Sequence, residues 1–231
     1  MNIDGVKNKI IWCFWFGEQR SLDREKCLTR LKDLNKNLIL ITEKNYKKYE
    51  NLADPYHSAL NFLSSTHKSD YLRAYFMHHY GGGYTDIKYF NQSFEPFLEN
   101  LYRTPKLGIG AIEESSLDIA NCFETLKIRH EFKKFIGCGN FAFKKNNNFT
   151  KEWLNNVELI LEKNKNLLIK NPGSYHPRAV RSGAQGTDLK PRGYPLEWTE
   201  IMGNIFHPLV YKYSDWIAKD YPRLNKEESY R

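Results

Sequence analysis

The 231-residue sequence is short of cysteine and of long apolar runs, and both shortages narrow what it can be. Its four cysteines, Cys13, Cys27, Cys122 and Cys138, fall at no metal-like spacing, so free thiols in a reducing compartment are expected. No run of about 18 apolar residues is present, and no membrane-crossing helix is predicted. The N-terminal MNIDGVKNK lacks an apolar leader core, so secretion is not expected. No GxGxxG follows the first apolar run and no Walker A motif occurs, which disfavours dinucleotide and P-loop binding. Helix-turn-helix, RNP and zinc-finger patterns are missing as well. The formal charge of +8 comes from 35 Lys+Arg against 27 Asp+Glu, and the basic residues are dispersed. Nucleic acid is therefore not the expected partner. Such a charge draws anions in general, among them a diphosphate, an acidic glycan or an anionic membrane face, or simply keeps a lysine-rich surface solvated.

Core-forming residues are plentiful, at 41% hydrophobic and 15% aromatic. The apolar run at 9–17, KIIWCFWFG, reads as a strand buried on both faces. Ser21 caps a predicted helix to about residue 35, with Asp23 and Glu25 in its first turn. NLILITE at 37–43 then completes a strand–helix–strand unit. Short helices are expected around Tyr46 and after Pro55, and strands over 106–112 and 137–145. A long helix over about 149–163 buries Trp153, Leu154, Val157, Ile160 and Leu161. Residues 171–195 show no periodicity and carry Arg178, Arg181, Lys190 and Arg192. That composition suits a functional loop over an anionic group. From residue 219 the chain is charged and unpatterned, which predicts an exposed tail over 219–231.

The stretch at 68–90, KSDYLRAYFMHHYGGGYTDIKYF, organises the rest. Ser69 suits a helix N-cap, and Asp70 would sit in the first turn, where the helix dipole favours an anion. Leu72, Tyr75, Phe76 and His79 recur at helical spacing, and Gly81, Gly82 and Gly83 end the helix. A strand is expected from Tyr84, with Asp86 and Lys88 two residues apart on one face. A carboxylate and an ammonium on an apolar strand are costly to bury without polar partners or a ligand.

By residue pattern this stretch resembles the DXD sugar-binding region of GT-A type glycosyltransferases, among them capsular polysaccharide synthesis enzymes and glucosylating toxins. Their pattern, S-D-x-x-R followed by y-G-G-x-Y-x-D-x-D, is matched by Ser69, Asp70, Arg73, Tyr80, Gly81, Gly82, Tyr84 and Asp86. Lys88 stands where the second acid of DXD would be. The resemblance implies a single GT-A-like, Rossmann-related α/β domain over 1–218. Its mixed, mostly parallel sheet would be flanked by helices. The implied activity is hexosyl transfer, with retention, from a nucleotide sugar to a surface glycan of capsule or lipopolysaccharide type or its lipid-linked precursor. It further implies a bacterial, cytoplasmic protein, peripheral to the inner membrane face.

Carried over residue by residue, Asp70, Arg73, Asp86, Lys88 and Asn140 form the implied catalytic set. Trp15 or Phe16 would lie against the nucleotide base, and Ser69, Gly82, Arg181, Trp198 and His207 would line the nucleotide-sugar site. Trp216 is a further candidate at the diphosphate. Asp86 and His207 are the candidate ligands of Mn²⁺ or Mg²⁺, which favour oxygen donors. Lys88 would repel a dication, so a metal is expected to be weak or dispensable, with Lys88 itself steadying the diphosphate. The alternative is a relative that binds a sugar nucleotide or glycan without turning it over.

Overall fold

A computed structural model describes residues 9–17, 19–173 and 193–222. The first apolar run forms β1 (Ile11–Trp15), followed by α1 (Leu22–Leu34) and β2 (Leu38–Thr42). Ser21 caps α1 as its position predicts, its Oγ accepting the Arg24 backbone N–H, with Asp23 and Glu25 in the first turn. Single 3₁₀ turns, Tyr46–Tyr49 and Ser58–Phe62, stand where the short helices were expected. They lead into α2 (Ser65–His79) and β3 (Gly82–Thr85). Then come α3 (Glu95–Arg103), β4 (Gly108–Ile112), β5 (Ile136–Phe143) and the long α4 (Asn148–Lys170). The described chain closes with α5 (Gly203–Lys212) and the short β6 (Ile217–Ala218).

The six strands make one sheet in the order β2-β1-β3-β5-β4-β6. Pairings are parallel except where β5 meets β3 and β4. The sheet is thus mixed and mostly parallel, with helices against it, in keeping with a Rossmann-like GT-A domain. One core gathers Trp12, Phe14, Phe76, Phe141 and Phe143 with Trp153 of α4 and Phe206 of α5. A second gathers Ile11, Phe94, Leu98, Ile109 and Tyr221. Alternating side chains along each strand feed the two cores from opposite faces.

Four local expectations are corrected. Helix α2 begins before Ser69: Ser64 is its N-cap and accepts the His67 N–H. Ser69 and Asp70 therefore lie in the second turn, where the helix dipole no longer favours the acid. Nor does α2 bury a single stripe, since Asp70, Tyr71, Leu72, Ala74, Tyr75, Phe76 and Met77 are all buried. The strand after the glycines ends at Thr85, so Asp86 and Lys88 belong to the turn beyond β3. Residues 219–222 are not the start of an exposed tail. Tyr221 is 3% exposed and stacks on Phe94, with ring centroids 5.3 Å apart. An aromatic ring of that size gains more from burial than the adjoining charges lose. Residues 223–231 lie outside the described ones.

Two glycines set the chain's entry into the site. Gly81, at φ +66°, ends α2 and donates its N–H to the Phe76 carbonyl. Gly82, at φ +90°, lies against β1 so closely that a Cβ would stand 2.5 Å from the Ile10 oxygen. Gly82→Ala combines positive-φ strain of about 1–3 kcal/mol with that clash. Urea unfolding should show a loss of about 2 kcal/mol or more, and a near-neutral change would refute the close approach.

Candidate active site

Asp86 is the point on which the charged groups converge. Its backbone N–H donates to the Gly139 carbonyl at 2.8 Å, which docks the turn after β3 onto the start of β5. Lys88 returns its own N–H to the Asp86 carbonyl at 2.9 Å, curling the turn so that both side chains meet. One carboxylate oxygen of Asp86 accepts from the Tyr84 hydroxyl at 2.7 Å and from Arg73 Nη2 at 3.2 Å. The other pairs with Lys88 Nζ at 3.1 Å. Arg73 extends the chain inward: Nη1 lies 3.3 Å from Asp70 Oδ1 and donates to the Cys138 carbonyl at 3.3 Å. Its guanidinium also rests over the Tyr84 ring, 4.5 Å from the centroid. Asp70, Arg73, Asp86 and Lys88 thus alternate in sign from the protein interior towards solvent.

The two acids titrate in opposite directions. Burial pushes the Asp70 carboxyl up to about 6, against the pull of Arg73, and the charge of Asp86 adds to the rise. Burial acts the same way on Asp86, but Lys88 and Arg73, with the Tyr84 hydroxyl, bring it down to about 2. Asp86 is therefore a fixed anion at any physiological pH.

A cavity of about 280 Å³ opens beside this chain. Lys88, Phe90, Glu113, Glu114, Asp118 and Asn140 line it, over a floor of Gly137, Cys138 and Gly139. A side chain at either glycine would press on a carboxylate. A Cβ on Gly139 would stand 2.8 Å from Asp86 Oδ2, and one on Gly137 3.3 Å from Glu113 Oε1. Asn140 is 8% exposed, and its Nδ2 donates to the Pro222 carbonyl at 2.6 Å. Its Oδ1 is buried without a partner. An unmet buried acceptor costs about 1–3 kcal/mol, which a ligand donor would recover.

Of the residues singled out in the sequence, Lys88 and Asn140 line the cavity. Asp70 and Arg73 stand behind Asp86 and orient it; Asp70 is only 3% exposed. Ser69 is half-buried on α2, and Gly82 pairs with Phe143 of β5 at the start of β3. Phe16 is 6% exposed and packs on Phe14 and Tyr46, with Lys68 Nζ 5.7 Å from its ring. Trp15 is half-buried at the end of β1, flanked by the Arg20 and Arg24 guanidinium groups, each 5.9 Å from its ring. Trp198 occupies the turn before α5, and Trp216 is half exposed beside β6. Arg178, Arg181, Lys190 and Arg192 lie outside the described residues.

His207 is buried on α5, with the Ala120 N–H donating to its Nδ1 at 2.9 Å. The proton of the neutral ring is thereby placed on Nε2, 3.5 Å from Cys138 Sγ and 3.8 Å from Glu113 Oε1. No contact joins it to Asp86 among the described residues. A dication does not fit this donor set. Both Asp86 oxygens already face cations, and the described residues contain no group of three His, Cys, Asp or Glu able to hold a metal. Glu113, Gly137 and Gly139 were not foreseen. The one trace of the two glycines in the sequence is the GCG triplet near the start of an otherwise bulky strand.

Residues 4–104 match the family described as capsular polysaccharide synthesis protein. That span is less than half of the chain, and it contains Asp70, Arg73, Asp86 and Lys88. Over it the chain is similar to capsule-synthesis proteins. Among solved structures, PaToxG Glycosyltransferase is similar over 94% of this chain and 89% of its own, at 13% identity and a TM-score of 0.41. No curated protein matches the sequence.

The raised Asp70 value gives a signed prediction. The native state holds this proton more tightly than the unfolded chain, so the contribution of Asp70 to stability falls as pH rises from 3.8 to about 6. Asp70→Asn, which mimics the neutral acid, should gain on the wild type across that window and be at least as stable at neutral pH. Urea titrations at a series of pH values measure it. A gap that shrinks as pH rises would contradict the burial of a net-costly carboxylate.

Proposed function

We propose that the protein transfers a hexose from a nucleotide-sugar donor to a surface glycan of capsule or lipopolysaccharide type, or to its lipid-linked precursor, with retention at the anomeric carbon. The observation that carries this reading is the buried, alternating Asp70–Arg73–Asp86–Lys88 chain. It ends on a cavity, at the strand ends where open α/β sheets take ligands. The partial match to capsule-synthesis proteins spans these four residues and supports it.

The chemistry asks for positive charge at a departing diphosphate and for fixed polar partners around a sugar. Lys88 Nζ offers the first at the cavity wall. Asp86 cannot drift towards the diphosphate, because Arg73 and Tyr84 hold it from behind while it aims the ammonium. Asn140 Oδ1 and Glu113 offer acceptors to sugar hydroxyls. Each of these groups is set before any ligand arrives, which is what makes electrostatic stabilisation effective in a sheltered site. Glycan or lipid-linked glycan acceptors place the protein in the cytoplasm at the inner membrane face, as a peripheral partner. Among the described residues, no helix is long and apolar enough to cross a membrane.

A second reading is favoured by the same carboxylate. Asp86 has no oxygen left over for a cation, so the protein would bind a sugar nucleotide or glycan and not turn it over. Assaying nucleotide release across a panel of nucleotide sugars decides between the two. Transfer or slow hydrolysis of any donor excludes the binding-only reading, whereas binding without release of nucleotide excludes transfer.

Metal dependence is the sharper test. Turnover should persist in excess EDTA, and Lys88→Ala should lower kcat by about 100-fold, the scale of losing one charge-stabilising group. Lys88→Asp should be poor alone and regain activity with Mn²⁺. A wild type that dies in EDTA and recovers with Mn²⁺ would remove Lys88 from its role.

A further inference from the structure

We propose that Cys138 is a modification site, at which hydrogen peroxide converts the thiol to a sulfenic acid in the floor of the cavity and so shuts the site off. The proposal rests on the sugar-transfer reading of the cavity and adds its regulation.

The four thiols are not equivalent. Cys13 and Cys27 are buried, and burial pushes both thiols up. Cys122 and Cys138 are half-buried, but their sulfurs face opposite kinds of group. Cys122 Sγ lies 3.8 Å from the Asn204 carbonyl oxygen, an acceptor to which its S–H donates. Cys138 Sγ lies 3.5 Å from His207 Nε2. The Ala120 N–H occupies His207 Nδ1, so Nε2 carries the ring proton and the sulfur accepts its hydrogen bond. Glu113 Oε1 stands further from that nitrogen, at 3.8 Å. An N–H aimed at a sulfur steadies negative charge there, and the anionic sulfur is the nucleophile. Arg73 Nη1 donates to the Cys138 carbonyl at 3.3 Å, which keeps a guanidinium beside the same residue.

The backbone brings this sulfur to the cavity. Gly110 of β4 pairs with Phe141 of β5 and Ile112 with Ile136, so residues 137–140 stand opposite Ala111 alone. The surplus residues bulge out of the ladder, and Cys138 lines the cavity together with Asn140. Asn140 independently marks this cavity as a place for a ligand. It is 8% exposed, its Nδ2 is committed to the Pro222 carbonyl, and its Oδ1 is buried without a donor. Hydrogen peroxide is small enough for a cavity of about 280 Å³ and brings O–H donors to it.

In the reaction, Sγ attacks one peroxide oxygen, and the S–O bond forms as the O–O bond breaks. The sulfur is oxidised by one electron pair and the peroxide is reduced. The hydroxide that leaves takes the thiol proton and departs as water. His207 Nε2–H then meets the new oxygen, which fills part of the space a sugar would use. Dithiothreitol returns the thiol, being oxidised to its own disulfide while the oxygen leaves as water.

Peroxide treatment of the full chain with dimedone present, followed by peptide mass spectrometry, reads sulfenic acid at each cysteine. Cys138 should carry about tenfold more adduct than Cys122, Cys13 or Cys27. No adduct on Cys138, or as much on Cys122, overturns the proposal. In folded His207→Phe the excess should fall to about twofold or less, and an unchanged excess there overturns the role of the imidazole. Should that variant not fold, the wild-type ratio of Cys138 to Cys122 decides alone. Nucleotide release from the nucleotide sugars that turn over should fall about tenfold after peroxide and return with dithiothreitol. Cys138→Ser, compared with its own untreated rate, should not respond. Turnover that persists with Cys138 oxidised overturns the proposal while leaving sugar transfer intact. The failure of every nucleotide sugar to turn over strikes the transfer reading instead, and the adduct ratio still tests Cys138.

Discussion

Everything at the centre of this protein depends on the guanidinium of Arg73. It comes from α2, reaches the carboxylate at the end of β3, and donates to the backbone at the start of β5. Without it, Asp70 and Asp86 would be two neighbouring acids in a largely buried space, each raising the cost of ionising the other. Breaking one partner out of a buried ionic group costs about 3–5 kcal/mol, because the remaining charge has no compensation. The same contacts that join helix to sheet also set Lys88, the half-buried cation at the cavity wall. Folding and preorganisation are here a single set of interactions.

Space is the second constraint. The turn after β3 needs Gly139 beneath it, because the Asp86 carboxylate occupies the volume where a side chain would begin. The aromatic surroundings cannot yield, since Trp12, Phe76, Tyr84, Phe141 and Trp153 interlock across the same face of the sheet. A core of stacked and edge-on rings transmits small displacements and absorbs few. The ion chain therefore sits against a stiff wall on one side and an open cavity on the other.

The sheet was legible because its strands are apolar runs bounded by glycine or polar residues, and α1 because Ser21 and the acids after it mark a helix start. The start of α2 was not. Ser64 has no Glu or Gln three residues on, and the helix is buried on nearly every side, so no polar stripe fixes its phase. In α5, Pro208 inside the helix masked the pattern; it takes the place of a helix-former in an otherwise apolar segment. At the site, Asp86 and Lys88 were visible as charges misplaced in apolar sequence. Glu113, Gly137 and Gly139 were not, because register alone brings Gly139 to Asp86 and Gly137 to Glu113, and register is a property of pairings remote in sequence.

The one strand that runs against the others has a consequence of a different kind. Because β5 is antiparallel, the 113–135 connection between β4 and β5 leaves and re-enters the sheet at the cavity end. That segment carries three of the cavity's acids or lies beside them, while the sheet beneath holds the ion chain. Insertions and substitutions there can alter what the cavity accepts without touching a strand pairing. The architecture thus separates the ion chain, fixed by helix and sheet, from the loop that supplies the cavity's acids.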